Sequence, residues 1–503
     1  MKTIEKPKMT CLQLTMAVML NMLGSSIILM PTKLAEVGTM SILAWLVTIS
    51  GATTIAYVFA KCGMFSKKSG GIGGYAAYAF GKSGSFIANF SYGVSLIIAN
   101  LTIAISIVGY LMVLFEWNLT PLEMGIASII VIWLCSLPNI RGARFIGQLS
   151  HFSSYGILIP ILILTVIGWN WFSVDRYIGA WNPQNLSLFD GISAGISMTL
   201  WGFLGLETAS ANSEAVEDPE KSVPRAMVLA TLGAGTVYVL ANNISFGIVD
   251  NELLSHSTAP FGLVFATMFS PEIGKFVMAL MALACAGCLT SWQFTIAEVF
   301  RVSAREEYFP KLFAKVTRLN GPVIGMVVIL LLQSLAALLT IDPRLEQQFY
   351  ILKDLAVVTN LVPYLLAFAA ANVIVHREPA DPKTASRITI VATIASVYSL
   401  YALYACGESA MMWGALTTFA GIWLYGFAAK SLEIKGRLRG EEYASPPSGP
   451  SRNRQCNSGV SPFGDTPEFF SASLASLHQN AAFSAIGLTR MIASLRVFAS
   501  AGF

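Results

Sequence analysis

Residues 195–212 read GISMTLWGFLGLETASAN. An apolar helix here carries a carboxylate, Glu207, just past two helix-weakening glycines, Gly202 and Gly205. An ionised side chain near the middle of a bilayer costs about 2.5–3.5 kcal/mol on insertion scales, so it faces a cavity, a partner or a substrate instead of lipid. Trp201 and Phe203 flank the acid. Aromatic faces beside a carboxylate make a cage for an alkyl-ammonium ion, each good contact being worth about 2 kcal/mol once water is excluded. The stretch therefore predicts a broken membrane helix with a cation site at the break.

The rest of the chain supports a membrane setting. Of its 503 residues 55% are hydrophobic and 12% charged, too apolar a balance for a soluble globular protein of this length. Apolar runs long enough to cross a bilayer as helices recur about twelve times, at about 10–35, 40–62, 86–115, 122–140, 147–171, 190–212, 226–248, 272–300, 321–341, 350–374, 386–405 and 410–430. The first is too long for a signal-peptide core and lacks a small-residue cleavage site, so it is expected to be retained. The net charge of +4 comes from basic residues spread over short loops, with no basic face or nucleic-acid motif, which argues against nucleic acid as a partner.

Those basic residues report topology. With the N-terminus in the cytoplasm, Lys61, Lys82, Arg141, Lys221, Arg301, Arg377, Lys430 and most others fall inside, whereas before the tail only Lys33, Arg176, Lys275, Arg344 and Lys353 fall outside. An even number of spans with both termini cytoplasmic follows.

The first span carries Gly24-Ser25-Ser26 in mid-membrane and Pro31 beyond it, the same kind of break as in the sixth. Breaks at corresponding positions of two halves point to an inverted-repeat transporter with its site at the midplane. The fold class expected is thus an all-α polytopic membrane protein, a 5+5 inverted repeat with broken helices 1 and 6. Repeat one covers about 10–171, repeat two about 190–374, and two further helices about 386–430. Glycines also serve close helix packing, the use expected of Gly191 and Gly195. Asn100 in span three, and Thr359 and Asn360 before Pro363 in span ten, are deep polar groups suited to lining a cavity or to interhelical hydrogen bonds. Trp292, alone, reads as a core or interface residue; paired with Trp201 it becomes a second wall for the cation.

Other motifs are set aside. SKKSGGIGGYAAYAFGKSG (66–84) contains G-x-G-x-x-A at Gly71, Gly73 and Ala76 and a GKS at Gly81 to Ser83, but no strand precedes the first and the second lacks its leading glycine. It reads as a tight, basic cytoplasmic loop. Cys285 and Cys288 have redox or zinc spacing but lie in an apolar helix without His or further Cys nearby. The remaining cysteines, Cys11, Cys62, Cys135, Cys406 and Cys456, imply no disulfide framework. No metal and no organic cofactor is expected. After Gly436 the chain turns rich in Ser, Pro and Gly, so residues 1–435 form the expected transport core and 436–503 a disordered or atypical tail whose last part, from Thr466, has weak amphipathic character.

Five stretches carry a resemblance: NMLGSSIILMPTKLAEVG (21–38), AKCGMFSKKSGGIGGYAAYAFGKSG (60–84), MTLWGFLGLETASAN (198–212), STAPFGLVFATMF (257–269) and SWQFTIAEVF (291–300). They resemble the bacterial antiporters, putrescine–ornithine and lysine–cadaverine, of the amino acid–polyamine–organocation superfamily. The resemblance runs from about Lys8 to Lys435, through loops as well as spans, and leaves the tail uncovered. A reading-frame change near the end of the gene produces such an unrelated ending.

What the resemblance implies is a twelve-helix inner-membrane exchanger of a basic amino acid for its decarboxylated diamine, or an importer of the diamine with a proton. In that reading Glu207 holds an amino group, Trp201 and Trp292 wall the methylene chain, and Tyr425 closes or lines the path. The break from Gly24 through Ser25 and Ser26 to Ile27 offers backbone N–H groups to a carboxylate. Cys62, Arg301 and Tyr308 stand at positions affecting the cytoplasmic side. Three residues depart from the family pattern. Ser26 stands where Gly is usual, Ala77 where an acid is common, and Arg301 where Lys is usual, keeping charge but changing geometry. Putrescine, ornithine, the proton and the lipid bilayer are the expected partners, and the oligomeric state stays open between a single chain and a homodimer. A longer pair such as lysine and cadaverine fits the same residues. A membrane enzyme or sensor built on Glu207 is disfavoured, since no nucleophile, metal cluster or histidine constellation accompanies it.

Overall fold

The computed structural model describes residues 10–66, 71–141, 143–207, 218–305, 309–316, 322–341, 344–378 and 380–438, and among these there is no strand. The tail after 438 and Tyr308 lie outside the described residues.

The first span is two helices. α1 (Cys11–Met22) starts at a capping box in which Thr10 and Gln13 satisfy each other's backbone N–H groups. It stops at Met22, gives way to a 3-10 turn at Ser25–Ile27, and resumes as α2 (Met30–Val37) with Pro31 in its first turn, where proline's missing N–H costs nothing. α3 (Ser41–Phe65) is continuous. α4 (Gly71–Phe115) contains a kink at Gly81, whose φ of 61° only glycine adopts freely, so a short helix over residues 71–80 precedes the long third span. This corrects the reading of 66–84 as a loop: from Gly71 the stretch is helical. Glycine-rich sequence has weak helix propensity, but here Gly73 lets the short helix fold against the Asn89 side chain of the long one, and packing overrides propensity.

α5 (Pro121–Ser136), α6 (Ala143–Ile167) and the short α7 (Val174–Gly179) complete the first half. α8 (Leu188–Trp201) is capped by the Ser187 hydroxyl on the Asp190 N–H and ends at the sequence break. Its Gly191 and Gly195 do serve packing: a Cβ at Gly195 would lie 2.7 Å from that of Ala44 on α3. Then come α9 (Pro219–Ile248), two short helices α10 (Asn251–Ser255) and α11 (Pro260–Met268), and the long α12 (Pro271–Arg305). α13 (Val323–Leu339), α14 (Leu345–Arg377), α15 (Pro382–Ala405) and α16 (Glu408–Leu438) finish the described chain.

Eight helices among the described residues are long and apolar enough to cross a bilayer. The broken first and sixth spans, α13 and α16 bring the number to about twelve. The two halves repeat one order: broken span, long span, short helix before a long span, two more spans. Their packing repeats too. α1 lies on α9 as α8 lies on α3, and α4 lies on α14 as α12 lies on α6, pairs that exchange when the halves are exchanged. Five spans per half is an odd number, so the second half enters from the opposite face.

Candidate functional site

The two breaks meet at one cavity. It is lined by Asn21, Met22 and Ser26 from the first span, Trp201, Gly205 and Glu207 from the sixth, Ser95 and Asn100 from α4, Trp292 from α12 and Asn360 from α14. Its volume, about 40 Å³, holds roughly three waters. Among the described residues, the Asn100 side chain finds no hydrogen-bond partner, and neither does Trp201 Nε1 or Asn360 Oδ1. Polar atoms buried without partners cost about 1–3 kcal/mol each, so this wall is built to meet a ligand or water.

Glu207 closes one end. Its carboxylate, 6% exposed, accepts the Tyr92 hydroxyl on Oε1 at 2.8 Å, and on Oε2 the Gly205 N–H at 3.0 Å and the Tyr364 hydroxyl. The Gly205 contact depends on backbone geometry. Gly205 has φ of 104°, and a Cβ there would lie 3.1 Å from the Trp292 ring, so only glycine allows the turn and the indole together. Among the described residues these three donors reach the acid from three elements. The two hydroxyls come from α4 and α14, so the carboxylate joins both helices to the break.

Of the residues singled out from sequence, Glu207, Trp201, Trp292, Ser26, Asn100 and Gly205 thus come together. Gly24 lies in an adjoining cleft with Asn21, Ser154, Cys288, Thr295 and the far side of Trp292. Ser25 and Ile27 belong to the 3-10 turn, and Ile27 is wholly buried. Gly202 contributes its carbonyl oxygen, which accepts from Tyr238 at 2.8 Å. Phe203 is turned away from the cavity, packing edge-on to Trp45 and Tyr238 at 6.4 and 5.7 Å. Cys62 is buried near the end of α3. Arg301 is engaged by Glu298, its Nε 2.7 Å from the carboxylate. Tyr425 sits outside the cavity in an aromatic cluster, 5.5 Å from Phe86, which in turn stacks on Phe309.

Sequence reasoning missed Tyr92, Tyr364 and Tyr238. A signal existed for the first two: Tyr92, Leu96 and Asn100 share a helix face, as do Asn360 and Tyr364. Lys353, assigned to the outer side by topology, is wholly buried in α14, donating to Ser197 Oγ at 2.8 Å beside Asp354. Among the described residues no group of three or more His, Cys, Asp or Glu is placed to hold a metal.

The chain is 51% identical over 437 residues, 87% of its length, to the whole of the putrescine transporter PotE of Escherichia coli K12. It is 52% identical to the putrescine transporter PotE of Haemophilus influenzae, covering 85% of this chain and 98% of the relative. A more distant relative is the cadaverine/lysine antiporter of E. coli K12, 30% identical over 70% of this chain and 82% of its own. The family model described as amino acid permease matches residues 9–426, and the chain belongs to that family.

Proposed function

We propose that the protein is a secondary transporter that exchanges putrescine for ornithine across the bacterial inner membrane, and that the same site supports proton-coupled putrescine uptake. The observation that carries this reading is Glu207, a buried carboxylate at the end of a cavity walled by Trp201 and Trp292, held by hydroxyls that a substrate ammonium can replace. The names of the two relatives that share about half of their residues with this chain supply the diamine. A dehydrated diamine needs a fixed negative charge in place of its water, and the indoles suit its cationic ends and methylene chain. Ornithine adds a carboxylate, which this reading gives to the Gly24–Ile27 break and Asn21, of which Asn21 and Ser26 line the cavity. Proton and diamine compete for Glu207, which couples them without a second site. Both termini are assigned to the cytoplasm, residues 1–435 to the transport core, and a homodimer is the oligomer to test.

Discrimination against the lysine–cadaverine pair rests on one methylene, worth about 1–3 kcal/mol. Purified protein in liposomes, loaded with a panel of amino acids and given labelled putrescine outside, tests the assignment. Internal ornithine is expected to drive the fastest uptake; uptake driven better by lysine moves the assignment to the longer pair.

A further inference from the structure

Four short oxygen–oxygen contacts lie where the two broken spans meet. The Ser26 hydroxyl is 2.7 Å from the Met22 carbonyl oxygen and 2.9 Å from the Tyr238 hydroxyl. The Tyr238 hydroxyl is 2.6 Å from that same Met22 oxygen and 2.8 Å from the Gly202 oxygen. Met22 ends α1 and Gly202 caps the end of α8, so both carbonyls stand where a helix ladder stops, at the negative end of its dipole.

Two hydroxyls bring two protons to these contacts. Of the two, only Tyr238 reaches Gly202, so one arrangement alone supplies both carbonyls: Tyr238 donates to Gly202 and Ser26 donates to Met22. Without the Ser26 proton, Tyr238 can serve one broken span or the other but not both. Its ring has no freedom to drift. Tyr238 is wholly buried, stacked on Trp45 at 5.3 Å and edge-on to Phe203 at 5.7 Å. Phe203, which faces away from the cavity, has its use here.

We propose that Ser26 and Tyr238 act as one positioning unit that holds the break of the first span against the break of the sixth, and thereby sets the affinity of the site. The first break supplies Asn21, Met22 and Ser26 to the cavity, and the sixth supplies Trp201, Gly205 and Glu207. A tie between them keeps the two sets in register before substrate arrives, so binding need not meet the cost of ordering them. Tyr238 touches no substrate; it acts through the two carbonyls. The idea rests on the diamine-transport reading for its kinetic test but not for its structural one.

The test is a double-mutant cycle on the full chain in liposomes, with Tyr238→Phe, Ser26→Ala and the pair, putrescine exchange as one readout and melting midpoint as the other. Each single change is expected to raise the putrescine KM about five- to tenfold with kcat altered less than about twofold, the scale of one hydrogen bond. The double variant is expected to be no worse than the more affected single one. Ser26→Gly, which removes the same proton and leaves Tyr238 intact, serves if the alanine variant does not fold. An unchanged KM in Tyr238→Phe, or a double variant whose effect is the product of the singles, overturns the proposal. A wild type that carries no putrescine overturns the transport reading instead; the tie then stands or falls on the melting midpoints, where an unshifted midpoint in Tyr238→Phe sinks it.

Discussion

The hydroxyl of Tyr92 donates to Glu207 Oε1 across 2.8 Å, joining the middle of α4 to the break that follows α8, residues far apart in the chain. The Tyr364 hydroxyl does the same from α14. α4 and α14 pack on each other along their lengths, so the two tyrosines move with a common pair of helices while Glu207 moves with the sixth span. Loss of one hydroxyl weakens closure at this end of the cavity. Tyr92→Phe is therefore expected to lower kcat for putrescine exchange by about tenfold, the scale of a hydrogen bond to a charged acceptor, with a smaller change in KM. Initial rates over a range of putrescine concentrations at matched protein amount check this, and an unchanged kcat counts against it.

Trp292 and Gly205 share a contact that no larger residue than glycine permits. Trp292→Leu is expected to raise the putrescine KM while membrane abundance is preserved, because the partly buried indole lines the cavity and leucine keeps an apolar side chain against the core. Gly205→Ala, which pairs a positive φ with a Cβ against the indole, costs about 1–2 kcal/mol in backbone strain and is expected to weaken binding about tenfold or more. Normal putrescine binding by the purified alanine variant contradicts the geometry.

Lys353 and Asp354 give a stability prediction. Lys353 is wholly buried and Asp354 is partly exposed, so the two halves of the pair are not equivalent. Asp354→Asn leaves a wholly buried ammonium with, among the described residues, the Ser197 hydroxyl as its hydrogen-bond partner, whereas Lys353→Met leaves an acid with one buried oxygen but 23% of its side chain exposed. The asparagine variant is expected to be the less stable, by roughly 3 kcal/mol relative to wild type, the low end for an uncompensated buried charge. Melting curves of the two variants give the order; equal midpoints contradict it.

Along the chain, Asn360 is the last residue to line the cavity, and the family match ends at residue 426. Deleting everything after Gly440 is accordingly expected to leave putrescine exchange intact. A truncated protein that reaches the membrane in normal amount and fails to exchange refutes this.

Much of the architecture was legible because bilayer physics leaves a strong trace: apolar runs mark spans, and Gly24-Ser25-Ser26 and Gly202 with Gly205 mark the places where a span is expected to stop inside the membrane. Glu207 announced itself by being charged at that depth. The tyrosines did not. On an apolar helix a tyrosine looks like core, and whether its hydroxyl finds a carboxylate depends on how α4 and α14 face a break that is distant in sequence. Phe203 misled for a simpler reason. It stands two residues after Trp201, and about 100° of turn per residue sends the two rings to opposite sides. The helix over 71–80 was missed because glycine reads as loop until a partner surface, here Asn89, explains the missing side chain.

The central claim is that Glu207 is the carboxylate for which diamine and proton compete. The most direct measurement is equilibrium binding of labelled putrescine to purified wild type and Glu207→Gln, from about pH 5 to about pH 8, a range bracketing a carboxyl that works as a proton carrier near neutrality. Protonation removes the charge the diamine needs, so wild-type affinity is expected to rise with pH, while the glutamine variant, folded and inserted normally, is expected to lose binding at every pH. Wild-type affinity in the glutamine variant, with an unchanged pH dependence, would mean that Glu207 is a structural acid and that the site lies elsewhere.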